Sequence, residues 1–173
     1  MNRRRRPALA GALAGALLTV GCVGQAPPAP AVLRTTPPPW PAPRDGISYF
    51  ELAGVPASRL DDRSNQHVLT LSVTVDGSPV PLAANIGVDR PRALQAPAHT
   101  HDDSGEVWLE GAGATEVTLG QFFVLWGVRL DERCLGAACG SVRVSADGAV
   151  VPSPAELRLA GVRDVQIRVS SGG

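Results

Sequence analysis

The run His99-Thr-His-Asp-Asp-Ser-Gly105 holds two of the chain's three histidines. On an extended strand, side chains i and i+2 share a face, so His99 and His101 can offer two imidazoles to one ion. Imidazole suits zinc and copper. Asp102, Asp103 and Glu106 are the nearest oxygen donors, either to the ion or to the outer nitrogen of an imidazole. His67 supplies a third nitrogen if the fold brings it near. The same run also has a plainer reading. Asp-Asp-Ser-Gly is turn chemistry, and two histidines beside it then only brace a loop. Met1 is the one methionine, which disfavours a methionine-based copper(I) carrier.

Other chemistry is poorly served. Ser104 lacks a Gly-x-Ser-x-Gly elbow, and the acidic run lacks the spaced oxygens of a calcium loop. Gly111-Ala-Gly113-Ala lacks the third glycine of a dinucleotide fingerprint, and no helix opens there. The expectation is a protein that is not an enzyme. All 16 basic residues are arginine and face 16 acidic ones, for a net charge of zero. A nucleic-acid binder needs a basic face to neutralise phosphates, so nucleic acid is not an expected partner.

These residues must be held by a sheet. Leu69, Leu71, Val73 and Val75 alternate with Thr70, Ser72 and Thr74, the period of a half-buried strand. Asp76-Gly-Ser-Pro79 turns the chain, and Val80 to Val88 is expected to return as its hairpin partner. Ile47 to Leu52 and Val107 to Leu109 read as short strands. Thr118-Leu-Gly-Gln121 matches a capping box, Leu119, Phe122, Phe123 and Trp126 form one helical stripe, and Gly127 sits at the C′ position. Ser141–Ala146, Asp147-Gly148 and Ala149–Val151 read as a second hairpin. Leu157–Leu159 is a short strand, and Val165, Ile167 and Val169 mark the last one. The fold class is α+β: a small mixed or antiparallel sheet with one short helix packed on one face. It resembles a β-grasp topology with an insertion over residues 89–117, and that insertion carries the histidines.

The N-terminus gives an address. Arg3 to Arg6 precede an uncharged run from Pro7 to Val20 that is 14 residues long. Such a run is too short to span a bilayer and suits a signal-peptide core. It ends in Leu18-Thr-Val-Gly-Cys22, which resembles the lipobox of bacterial lipoproteins. That resemblance implies cleavage after residue 21, a diacylglycerol thioether on Cys22 and often an acylated amino group. An ordinary cleaved signal with a plain Cys22 thiol is the alternative. Removing residues 1–21 leaves 12 arginines against 16 acidic residues. A mildly acidic chain gains nothing from anionic headgroups, so contact with the lipid bilayer rests on acyl chains such as palmitate.

With Cys22 lipidated, Cys134 and Cys139 remain as an even pair, expected to form a disulfide outside the cytoplasm. A thiol metal pair is the rival, but no other Cys or His lies close in sequence to complete it. Residues 22–45 are proline-rich, favour polyproline II and read as a semi-rigid tether with a reach of about 70 Å. Residues 46–173 hold nearly all the β-branched and aromatic residues and form the domain.

Asn85-Ile-Gly-Val, His99-Thr-His-Asp with Ser104-Gly105, and Thr118-Leu-Gly-Gln-Phe-Phe with Trp126-Gly-Val-Arg-Leu130 resemble a family of uncharacterised bacterial envelope proteins, over roughly residues 66–169. The resemblance implies an architecture and a site but no reaction. Members of that family tend to carry histidines around the strand at His67, and one where this chain has Trp108. Gln66 and Trp108 stand here instead. Two function classes follow. The first is a non-enzymatic, lipid-anchored module on the outer face of the cell membrane that binds an envelope protein or ligand. The second is a zinc- or copper-binding lipoprotein that uses His99 and His101.

Overall fold

The computed structural model describes residues 27–172. The expected export signal, Cys22 and the first residues of the expected tether lie outside them. The described chain forms helix α1 (Ile47–Ala53), β1 (Ser58–Arg59) and the long strand β2 (His67–Val75). Strands β3 (Ser78–Val80), β4 (Val88–Asp89), β5 (Leu94–Gln95), β6 (Ala98–His99) and β7 (Glu106–Leu109) precede helix α2 (Leu119–Trp126). Strands β8 (Cys134–Leu135), β9 (Ala138–Ala146), β10 (Ala149–Val150) and β11 (Asp164–Ser171) follow.

The main sheet runs β10-β9-β11-β2-β7-β6, and a second small sheet runs β1-β5-β4. The last strand, β11, lies parallel to β2, while its other neighbour β9 is antiparallel. The other edge of β2 is shared: β3 covers Val73–Val75 and β7 covers His67–Thr70. The fold is α+β with a mixed sheet, and its order of hairpin, helix, hairpin and central strand is that of a β-grasp. The segment between β4 and α2 is the insertion. It adds β5, β6 and β7 and carries the histidine motif.

The alternation in β2 sorts its side chains as expected. Leu69, Leu71 and Val73 are buried while Thr70 and Ser72 are exposed. Helix α2 has the expected bounds. Gln121 N–H donates to Thr118 Oγ1, and Thr118 N–H donates to Gln121 Oε1, the reciprocal bonds of a capping box. Gly127 takes φ 70°, which lets the helix end without a Cβ clash. Leu119, Phe122, Phe123, Leu125 and Trp126 are all buried. A helix apolar on this many sides needs cover on both, and here it has it.

Part of that cover corrects the expected boundary. Residues read from their prolines as a free tether pack onto the domain. Trp40 is 2% exposed, meets Trp126 edge-on with centroids 5.6 Å apart, and accepts at its carbonyl from Trp126 Nε1 at 2.9 Å. Arg34 exchanges backbone hydrogen bonds with Gly127 and Arg129. Ser48 Oγ donates to the Ala29 carbonyl. Proline-rich backbone has few donors to satisfy, so it can lie against a surface at little cost, and one tryptophan supplies the apolar area.

Two further expectations change. Ile47 to Leu52 lies in helix α1, not a strand. A period of two would put Ser48 with Phe50 and Tyr49 with Glu51, mixing polar and apolar residues on both faces. A helical turn instead buries Phe50 with Ala53, and Gly54 ends it at φ 65°. Among the described residues there are therefore two short α-helices where one was expected. The return strand after Asp76-Gly77 covers only Ser78–Val80, because Pro81 has no N–H for the ladder. Cys134 and Cys139 face each other across β8 and β9 and are joined as a disulfide, with Cα atoms 4.1 Å apart. Trp40 packs beneath this hairpin. A Cβ on Gly136 would sit 2.5 Å from the Trp40 ring, so the turn closes only over glycine.

Candidate metal centre

Strands β6 and β7 are antiparallel and set His99 opposite Trp108 and Ala98 opposite Leu109. Val107 and Leu109 point into the core. By strand alternation Trp108, and Glu110 just beyond β7, take the other face. The small sheet and the loop before β2 cover that face. The segment at Ile86-Gly87 is bonded to Ala96 and Thr100, and Gly87, at φ 69°, lies where a Cβ would be 2.3 Å from the Ala98 carbonyl. That close approach covers His99, which is 1% exposed, and Glu110, in contact with Arg63, Gln66 and Gln95, is fully buried.

Three side chains converge there. His99 Nε2 lies 3.2 Å from His101 Nε2 and 3.5 Å from Glu110 Oε2. The three ligand atoms lie within 4.8 Å of one another. With metal–nitrogen bonds of 2.0–2.1 Å, the edge of a tetrahedral site is about 3.3 Å. The two spacings from His99 Nε2 bracket that edge, while His101 and Glu110 share only the wider 4.8 Å bound. The His101 ring is exposed and stacks on Trp108, with centroids 4.8 Å apart and planes 10° apart, as well as on His99.

The surroundings prepare the ligands. His99 Nδ1 lies 3.2 Å from the Ala96 carbonyl. A carbonyl can only accept, so Nδ1 carries the proton and Nε2 turns its lone pair toward His101 and Glu110. Burial pushes the His99 pKa down to about 4, the Ala96 carbonyl and Glu110 oppose the shift, and the charges of His101 and Arg63 add to it. His99 is therefore a neutral ligand near pH 7. Glu110 is held by one oxygen more firmly than by the other. Oε1 accepts from Gln66 Nε2 at 2.7 Å and Arg63 NH1 at 2.9 Å. Oε2 has longer contacts, 3.2 Å to Arg63 and 3.3 Å to Gln95, and is the oxygen that faces His99.

The structure brings His99 and His101 together and leaves the other proposed donors apart. His67 is opposite Leu109 in the β2–β7 ladder and so lies on the core face, where its Nε2 meets the Val162 carbonyl. Asp102 accepts from the backbone of Ser104 at 2.9 Å, and Ser104 Oγ accepts from Glu106 N–H. Asp102 and Asp103 are exposed bend residues, as the turn reading of this run holds, and Glu106 is exposed at the start of β7. The missing third ligand is Glu110, which sequence proximity passed over. The signal for it was the alternation in Val107-Trp-Leu-Glu110, two residues beyond the position opposite His99. Gln66 and Trp108 both border the cluster. Comparison with protein-family models, with curated proteins and with solved structures returns no match, so the functional reading rests on these side chains.

Proposed function

We propose that this protein is an extracytoplasmic, lipid-anchored module that binds one zinc or copper(II) ion through His99, His101 and Glu110 and has no catalytic activity of its own. The observation that carries the reading is the convergence of three ligand atoms within 4.8 Å, with the buried His99 imidazole at tetrahedral-edge distance from both of the others and its lone pair turned inward. Glu110 would bind through Oε2, while Arg63 and Gln66 keep Oε1. Two imidazoles and one carboxylate leave the fourth position open. The lipobox-like Leu18–Cys22 supports membrane attachment, and the Cys134–Cys139 disulfide suits an oxidising compartment. No helix among the described residues is long and apolar enough to cross a membrane.

A second reading keeps the histidines as loop braces in a metal-free module that binds an envelope partner. The complete hydrogen bonding of Glu110 by Arg63, Gln66 and Gln95 favours it. Against it stands the facing of the His99 lone pair and Glu110 Oε2 at 3.5 Å, two electron-rich atoms that a cation would reconcile. Calorimetric titration of zinc and of copper(II) into the purified chain separates the two. One equivalent should bind, and Glu110→Gln should weaken it at least about tenfold. Equal affinity in the wild type and Glu110→Gln would refute the assigned ligand set.

A further inference from the structure

Resting on the metal reading above, we infer that the open coordination position faces an anion site, and that a small oxyanion such as phosphate or a carboxylate bridges the ion to Arg63 and Arg90. A cleft of about 460 Å³ opens beside the cluster, and Arg63, Asn85, Arg90, Gln95, His99 and His101 line it. No acidic side chain is among its lining residues. Glu110 lies fully buried, and Arg63 and Gln66 already hold its charge.

Both arginines have capacity to spare. Arg63 spends NH1 on Glu110, and its side chain is 54% exposed. Its remaining guanidinium donors make no hydrogen bond among the described residues. Arg90 is exposed and donates from NH2 to Asn85 Oδ1 at 2.6 Å, a neutral acceptor that also lines the cleft and leaves the charge in place. It forms no ion pair among the described residues. A planar guanidinium fork matches the oxygens of a carboxylate or phosphate. A divalent ion with three protein ligands carries net positive charge and accepts an anionic fourth ligand readily. With an ion held at His99 and His101, the cleft would present that cation together with Arg63 and Arg90. It is suited to an anion that offers one oxygen to the metal and others to the arginines.

Cobalt(II) substitution reads both events in one sample, because the visible spectrum reports metal loading and any change in its ligands. Inorganic phosphate and acetate, titrated separately into the cobalt-loaded chain, should each shift the spectrum, and phosphate should bind more tightly because it can reach both arginines. Arg90→Ala should leave cobalt loading unchanged and weaken phosphate on the order of tenfold, the usual worth of one charge-assisted hydrogen bond. Cobalt loading with no spectral response to either anion overturns the anion site and leaves the metal centre standing. A phosphate response that is undiminished in Arg90→Ala overturns the bridging role. Failure to load cobalt, zinc or copper overturns the metal centre and the anion site with it.

Discussion

At the residue scale, His101 is the cleanest probe of the centre. Its ring is exposed, so His101→Ala should shift the melting temperature little while it lowers zinc affinity at least about tenfold. Calorimetry beside thermal unfolding checks both halves. His99 is different because it is buried and its pKa lies near 4 in the fold, against about 6.5 when unfolded. The folded protein keeps it neutral. Between pH 6.5 and pH 4 the unfolded chain takes up a proton that the folded chain does not. Stability of the metal-free protein should therefore be greatest above pH 6.5, fall as pH drops toward 4, and lose no more to this group below that. His99→Gln should flatten this part of the profile in denaturant titrations. The pair His99 and His101 was legible because i and i+2 on a strand share a face. His67 misled because alternation puts it on the core face, and Glu110 was hidden because its place depends on the β6–β7 register. Register joins residues that no local pattern links.

At the scale of elements, local signals performed best. Helix α2 has its cap, its stripe and its terminal glycine within ten residues, and all three hold. The strand expected over Ile47 to Leu52 is helix α1 because those six residues fit neither period cleanly. Trp40 was misread because proline composition dominated its surroundings, and its burial depends on Trp126, far along the chain. The two cases give opposed expectations for unfolding. Thr118→Ala removes the cap acceptor and should cost about 1 kcal/mol. Trp40→Ala, in a segment that would be inert as a free tether, should cost roughly 3–5 kcal/mol, as for other large buried rings. Chemical denaturation measures both, and a negligible effect at Trp40 would restore the tether.

At the scale of the whole molecule, the packed N-terminal segment changes how the domain would sit. Among the described residues, the first hydrogen bond to the domain is at Ala29, where Ser48 donates to the carbonyl. Lipid attachment at Cys22, as proposed, then leaves only seven residues to that hydrogen bond, a reach of at most about 25 Å in place of the longer one read from composition. The domain would ride close to the membrane. Cys22→Ser should release the protein from the membrane fraction and abolish incorporation of labelled palmitate. A Cys22→Ser protein that still pellets with membranes and still carries label would contradict attachment at that residue. The central claim is the metal centre, and elemental analysis tests it most directly. The full chain, loaded with zinc or copper(II) and desalted, should retain one equivalent of metal, and His99→Ala/His101→Ala with unchanged circular dichroism should retain none. A wild-type chain that comes through desalting without metal, or a double variant that keeps as much, would contradict the account.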